Sequence, residues 1–276
     1  MTAKGSRRQI LHGLLGMGLM TTLAPASLRA ATAAYPRIGA QVYTVREAFA
    51  ADPLGTLQRL KAMGYDEVEL TGPGGLTPEV LGRAIADMGL RVPSIHIGLD
   101  AWRTAPEAAL DAAATLGARY AVLAWVGEAD RKDWKALSDA MNPWGELAKA
   151  RGLRFAYHNH DFEFAQKVDD QPVLHTILSR TDPDLVSLEY DVYWSAFAGY
   201  DPLHVLSRHG ERIALLHLKD MAADRKMADV GAGTLDFPAM LAQAKASGVQ
   251  HVFVERDDAP DPFASAQASL GYLRRL

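Results

Sequence analysis

No cysteine occurs in the 276 residues. Disulfides and thiolate metal sites are therefore excluded. Neither sign of charge dominates: 29 Lys and Arg stand against 33 Asp and Glu, a formal net charge of -4, with the two signs interspersed. Nothing in that balance marks a nucleic-acid surface. Long apolar runs are also missing. The longest candidate, Leu14 to Leu23, falls short of a membrane span. What remains is 49% apolar and 22% charged. That composition suits a globular domain large enough to bury its core without staples.

The first 34 residues read as a separate unit. Ser6-Arg7-Arg8-Gln9-Ile10-Leu11 is followed by the short apolar run and then by Ala31-Thr32-Ala33. A basic start, a short apolar stretch and small residues before a cleavage point form a signal peptide. The paired arginines resemble a twin-arginine export signal. The expectation is a signal peptide over 1–34, a mature domain over 35–276 and a periplasmic location.

The mature chain repeats one phrase: amphipathic helix, glycine, short apolar strand. It occurs at Gly64 before Glu67–Leu70, at Gly89 before Val92–Ile97, and at Gly117 before Tyr120–Leu123. It returns at Gly152 before Leu153–Tyr157, at Gly210 before Ile213–Leu218, and at Gly248 before His251–Glu255. Glycine ends a helix cheaply because it accepts a left-handed backbone. Asp52-Pro53 and Thr77-Pro78 mark helix starts, a capping side chain before a first-turn proline. Trp134, Leu137, Met141, Trp144 and Leu147 recur at helical spacing, with Pro143 expected to kink or split that helix. Strands over Arg37–Val42 and Leu185–Tyr190 bring the count to eight. Eight strands alternating with helices predict a closed parallel (β/α)8 TIM barrel in a single domain. The rival is an open doubly wound sheet, but no glycine-rich phosphate loop follows the first strand.

In such a barrel the chemistry sits at the C-terminal strand ends. Those ends carry Gln41, Glu69, His96, His158 and His160, Glu189 and Asp191, His217 and Lys219, and Glu255. Side chains two apart on a strand share a face, so Asp191, His217 and Glu255 can converge from three consecutive strands. A histidine from strand five completes a four-ligand set. Imidazole and carboxylate donors suit one divalent ion, Mn, Zn, Co or Fe. His217 interrupts an apolar strand, Leu215-Leu216-His217-Leu218, where an unpaired polar group would cost several kcal/mol. Trp125, ending strand four, could stack on a sugar or pack in the core. His175, His204, His209 and His251 fall on helices, helix ends or a strand start and are read as structural or exposed, and Glu67 and Glu211 precede strands on the stability face. Asp161 and Glu163 follow strand five without an assigned role.

Gly39-Ala-Gln-Val-Tyr-Thr-Val-Arg46, Tyr157-His-Asn-His-Asp-Phe-Glu-Phe164, Leu188-Glu-Tyr-Asp-Val-Tyr-Trp194, His217-Leu-Lys-Asp220 and Val230-Gly-Ala-Gly-Thr-Leu-Asp-Phe237 resemble the sugar phosphate isomerase/epimerase group of the xylose-isomerase-like TIM-barrel superfamily. The resemblance runs through the whole mature chain. It implies metal ligands on strands five to eight, the last three matching Asp191, His217 and Glu255. Many members read Glu-Asn-His on strand five, where this chain reads His158-Asn159-His160. His158 is the ligand implied there, with His160 the alternative. Members of epimerase type often carry a substrate-binding histidine where Trp194 stands.

The resemblance implies an isomerase or epimerase moving a proton beside the carbonyl of a keto-sugar or inosose. Its acid/base residues would be Glu255 with His158 or His160, and Lys219 would polarise substrate oxygens. Gln41, Glu69, His96, Trp125 and Trp194 would bind substrate. The strand-five change also resembles inosose dehydratases and enzymes of 3-keto sugars, making a dehydratase or lyase on a keto-sugar or inosose, 3-keto-glycoside processing included, the alternative. A metal-dependent endonuclease and a non-catalytic periplasmic sugar-binding protein are lesser readings. Export argues against phosphorylated substrates. The expected partner is a small sugar or cyclic polyol, with no nucleic acid, no membrane span and a homo-oligomer as one option.

Overall fold

Five of the six punctuating glycines, Gly64, Gly89, Gly117, Gly152 and Gly248, take φ between +67° and +106° as their helices end. Gly210 departs from the expectation. Its φ is -54° and it opens a turn of 3-10 helix, Gly210–Arg212. A Cβ there would meet the Ser247 side chain at 2.2 Å, so close packing is what requires glycine.

The computed structural model describes Tyr35 and residues 37–276. The expected signal peptide lies outside the described residues. Eight strands follow one another along the chain: β1 (Gly39–Gln41), β2 (Glu67–Leu70), β3 (Arg91–Ile97), β4 (Tyr120–Leu123), β5 (Arg154–His158), β6 (Val186–Asp191), β7 (Ile213–Leu218) and β8 (His251–Val254). Each pairs in parallel with the next, and β1 pairs with β8, which closes the barrel. Strands buried on both faces explain the continuous apolar runs. The predicted strands all exist, with ends shifted by a residue or two.

The barrel interior is filled from below. Tyr120, Val122, Ala156, Ala214, Leu215 and Phe253 form a compact buried cluster. The Phe253 ring lies where a Cβ on Gly39 would sit, 2.4 Å away, so β1 needs glycine at that level. Beneath it Glu67 receives His251 Nδ1 at 2.7 Å, consistent with the structural role expected of both. Among the described residues no helix is long and apolar enough to cross a membrane.

Helices cover the outside. Asp52 and Thr77 cap theirs as predicted, accepting from the N–H groups of Gly55 and Val80. Pro143 does not split its helix, which runs from Trp134 to Ala150. Proline removes one intrahelical hydrogen bond. The buried stripe of Trp134, Leu137, Met141, Trp144 and Ala148 anchors the helix on both sides of that gap. Two short hairpins decorate the loops: Lys167–Val168 with Gln171–Pro172, and Asp220–Met221 with Met227–Ala228.

One buried carboxylate explains two of the sequence motifs. Asp220 accepts from the backbone N–H groups of Met221, Gly231, Gly233 and Leu235 at 2.7–3.2 Å. It thereby ties the loop after β7 to the Val230–Phe237 segment. A side chain on Gly233 would overlap Asp220 Oδ1, at 2.3 Å. Charge-assisted hydrogen bonds are individually strong, and losing them strands four backbone donors. Asp220→Ala should therefore destabilise the protein by about 3 kcal/mol. Urea unfolding measures this as a lower midpoint; an unchanged midpoint would refute the anchoring role.

Candidate metal centre and cleft

Register decides which side chains meet at the C-terminal mouth. Gln41 pairs with Glu69, His158 with Glu189, and Asp191 with His217 across neighbouring strands. Inward-facing residues from adjacent strands stack in layers. The result is a buried polar layer roofed by an open cleft of about 420 Å³. The cleft is lined by Tyr43, His96, Trp125, His158, His160, Asp161, Trp194, Lys219, Glu255 and Asp257.

His217 is the hub of the layer. Its Nδ1 lies 2.7 Å from Glu255 Oε2 and its Nε2 2.7 Å from Glu69 Oε2. Ionised carboxylates only accept, so both ring nitrogens carry protons in this arrangement. Burial disfavours that charge, but the Glu189 and Glu69 carboxylates outweigh it and push His217 well above the ordinary imidazole range. His96 behaves alike, pushed up to about 10 against its burial by Glu69 and Glu189. Its Nε2 lies 2.7 Å from Glu189 Oε2.

His158 and His160 go the other way. Burial pushes both well below the imidazole range; neighbouring His217 adds most for His158, and Lys219 for His160. Both are neutral at physiological pH and keep a lone pair. His158 Nε2 stands 3.9 Å from Asp191 Oδ2. Its Nδ1 lies 3.1 Å from Glu189 Oε2 without forming a hydrogen bond. His160 sits just past the end of β5 rather than on it, and its ring stacks on Phe162 at a centroid distance of 5.4 Å.

Lys219 is buried among three carboxylates. Its Nζ lies 3.3 Å from Asp191 Oδ2, 3.0 Å from Glu255 Oε2 and 3.0 Å from Asp257 Oδ1. Burial alone would lower its pKa; Glu255, Asp191 and Asp257 reverse this and keep the ammonium charged. Burial also pushes Glu255 up, yet Lys219 and His217 hold it well below the carboxylate range. Asp257 is pushed up to about 7 by burial and by the charge of Glu255.

Among the described residues, two groups of donor atoms are close enough to share one cation: Asp191, His217 and Glu255, and His96, His158, Glu189 and His217. The ligand set drawn from the sequence takes its three members from strands six to eight as the first group. Its fourth, His158, belongs to the second, with His217 common to both. The buried oxygens Glu69 Oε1 and Glu189 Oε1 have no hydrogen-bond donor, and Asp191 Oδ2 has only the Lys219 ammonium at 3.3 Å as an ion-pair neighbour. Buried acceptors without donors, beside a neutral imidazole, fit a divalent cation with nitrogen and oxygen ligands. Occupancy at His217 requires it to release a proton.

Two of the five expected substrate residues do not line the cleft. Gln41 and Glu69 lie beneath the cleft and do not line it. The Gln41 amide donates to Glu69 Oε2 at 2.7 Å and accepts from the N–H of Tyr43 at 3.0 Å, so both its ends are occupied inside the protein. These two residues orient His217 and His96 rather than face a ligand. His96, Trp125 and Trp194 do line the cleft, and Trp194 Nε1 is a buried donor without a partner. His175, His204 and His209 line a separate hollow on the flank. Asp257 and Tyr43 were not read from the sequence, although each lies two residues beyond a recognised strand-end residue, Glu255 and Gln41.

Glu163 acquires a role. Fully buried, it accepts from the Tyr157 hydroxyl and from the His160 backbone N–H, the latter at 2.7 Å. It thereby fixes the backbone that carries His160. Burial pushes Glu163 up to about 7 from 4.5. A carboxyl raised in the folded state holds a proton that the unfolded chain has released. Its contribution is therefore largest below 4.5 and fades as pH rises through about 7. Glu163→Gln should remove that part of the pH dependence, up to about 3 kcal/mol. Urea unfolding across this window is the check, and an unchanged slope would contradict the assignment.

The family model described as "Xylose isomerase-like TIM barrel" matches residues 57–276. An inosose dehydratase from Geobacillus thermodenitrificans is 32% identical over 165 residues, covering 52% of this chain and 54% of the relative. The alignment thus spans about half the length of that relative. A crystal structure of a sugar phosphate isomerase/epimerase from Parabacteroides distasonis superposes with a TM-score of 0.76 at 27% identity, covering 87% of this chain and 98% of that one. The structure of an L-ribulose 3-epimerase shares the fold, with a TM-score of 0.67 at 19% identity over 87% of this chain and 93% of that chain. By the family model across most of its length, and by the closed eight-stranded barrel, the chain belongs to the xylose isomerase-like TIM-barrel family.

Proposed function

We propose that the protein is a divalent-metal-dependent isomerase or epimerase that transfers a proton beside the carbonyl of a keto-sugar or inosose. One observation carries this reading: Asp191, His217 and Glu255 converge from three strands at a cleft also lined by His158, His160 and Lys219. A bound divalent ion would polarise the substrate carbonyl and an adjacent hydroxyl. Asp191, His217 and Glu255 would hold it, with His158 the fourth donor. Where His158 binds metal, His160 is the strand-five proton carrier.

Glu255 is ionised and His160 neutral, so both can accept a proton. They stand on different walls, since β6 and β7 separate the strands that precede them. One removes the proton α to the carbonyl. The Lys219 ammonium stabilises the negative charge that develops on the carbonyl oxygen. Return of a proton from the other wall inverts the carbon, and return to the neighbouring carbon isomerises the sugar. Trp194 Nε1 has a free N–H for a substrate hydroxyl.

The relatives named inosose dehydratase favour a second ending to the same first step. The enolate electrons expel a β-hydroxyl, which takes a proton from an acid of the cleft and leaves as water. Asp257, pushed up to about 7 by burial and by the charge of Glu255, and 3.0 Å from Lys219, is the group available to give it.

Exchange of sugar C–H for deuterium in heavy water, followed by NMR, tests the shared step. Metal-stripped protein should lose exchange on a keto-hexose or inosose and regain it with Mn or Co. Wild-type exchange unaffected by a chelator removes the metal-dependent reading. The product then separates an epimer from an unsaturated ketone. The twin-arginine string extends the proposal to the periplasm, which fractionation of the native host checks.

A further inference from the structure

A second hollow lies on the flank of the barrel, walled by the helix after β5, Val173–Arg180, and the helix after β6, Pro202–His209. Its volume is about 200 Å³, and its lining shares no residue with that of the cleft. That is less than the ~300–1,000 Å³ of drug-sized sites, so an occupant is small. Three of the nine histidines line it, His175, His204 and His209, together with Arg208. No Asp or Glu does. His204 and Arg208 are four residues apart on one helix and share a face. His175 comes from the other helix.

These side chains are uncommitted. Among the described residues no side-chain hydrogen bond or ion pair engages His175, His204, Arg208 or His209. Burial lowers His209 from its ordinary value, and Arg208, Arg212, His175 and His204 lower it further. The surroundings are thus electropositive, and a bound anion would relieve the repulsion.

Clustered imidazoles also bind metals, but two observations decide against a cation here. The three rings are not among the donor groups close enough to share one ion; both such groups lie at the barrel mouth. Arg208 keeps its charge at any physiological pH and repels a cation. An oxyanion is larger, spreads its acceptors over several oxygens and reaches donors that stand further apart. A guanidinium fork matches phosphate bidentately. Each imidazole offers one N–H when neutral and two when protonated. A phosphate monoester presents three terminal oxygens to such donors, where a carboxylate has two.

Charge is only half of the lining. The buried side chains Phe164, Leu174 and Val205 belong to it as well. Tyr200, 37% exposed, also lines the hollow, with its ring centre 4.9 Å from that of Phe164. A flat or apolar group next to the phosphate finds a surface there.

We propose that this flank hollow binds a small phosphate monoester, its phosphate held by Arg208 and the three histidines and its organic part lying on Tyr200. The ester is bound and not transformed. The site is independent of the reaction proposed for the cleft.

Isothermal titration calorimetry of the full protein with phenyl phosphate, inorganic phosphate and phenol tests this. Phenyl phosphate should bind saturably, inorganic phosphate more weakly, and phenol not at all. Arg208→Gln should weaken phenyl phosphate about ten- to a hundredfold, the loss of one charge-assisted contact. Tyr200→Ala should weaken phenyl phosphate about two- to tenfold and leave inorganic phosphate unchanged. Arg208 is exposed and unpartnered, so the thermal melt of Arg208→Gln should match the wild type. Should that melt shift, Arg208→Lys, which keeps the charge but not the fork, should retain part of the affinity. No saturable binding at millimolar phenyl phosphate overturns the site. So does binding that Arg208→Gln leaves intact, which would place the ligand elsewhere. Inorganic phosphate binding as tightly as the ester removes the role of Tyr200 and with it the ester. Stoichiometric zinc uptake lost in His175→Ala would make the imidazoles a cation site and overturn the proposal as well.

Discussion

Glu255→Gln should lower kcat by about 10³–10⁴ with KM little changed. Glu255 is an ionised carboxylate at the boundary between the polar layer and the cleft, touching His217 on one side and Lys219 on the other. Glutamine keeps the shape and one acceptor oxygen but cannot take a proton. The fold should tolerate the change, because the surrounding carboxylates Glu69, Glu189, Asp191 and Asp257 still compensate Lys219, His96 and His217. Single-turnover kinetics with a thermal melt separates the two effects. A variant that keeps full proton exchange assigns the base to strand five, and His160→Ala should then carry the loss. A large drop in KM instead would mean that Glu255 strains the bound substrate.

Lys219→Met is expected to combine a catalytic loss with a stability loss. The ammonium is the one lysine lining the cleft, and the proposed reaction assigns it to the developing enolate oxygen, so kcat should fall by about 10²–10³. Its removal also leaves Asp191, Glu255 and Asp257 facing one another in a buried space. Breaking a buried ion pair by deleting one partner costs about 3–5 kcal/mol, since the remaining charge is stranded. A divalent cation offers those carboxylates a replacement charge. Added Mn should therefore raise the melting temperature of Lys219→Met more than that of the wild type. An identical response in both would show that Lys219 and the ion do not share these oxygens.

The barrel was legible because its signals are local. Each strand is a short apolar run set off by a glycine, and a helix that must stop and turn needs one whatever surrounds it. The exceptions are tertiary. Gly210 is glycine because Ser247 packs against it, and the helix through Pro143 survives on its buried tryptophans. Neither contact has a local sequence mark. At the mouth, the convergence of Asp191, His217 and Glu255 followed from alternation along strands. Depth did not. Gln41 and Glu69 were expected to bind substrate, yet both are buried and bonded to each other, and Glu69 bonds His217. Loops hid the rest. Asp257 and Tyr43 reach the cleft from beyond the ends of their strands, and Arg131, which packs against Trp125, comes from a loop after β4. Carrying the two-residue alternation past the last strand residue would have pointed to the first two.

The central claim is that side chains from strands five to eight hold one divalent ion at the barrel mouth. Anomalous diffraction at the manganese edge, from crystals grown with Mn, tests it most directly. A single strong peak is expected, bounded by Asp191, His217 and Glu255, with His158 as the fourth protein donor. A mouth without a peak, or a peak held by other residues, would contradict it.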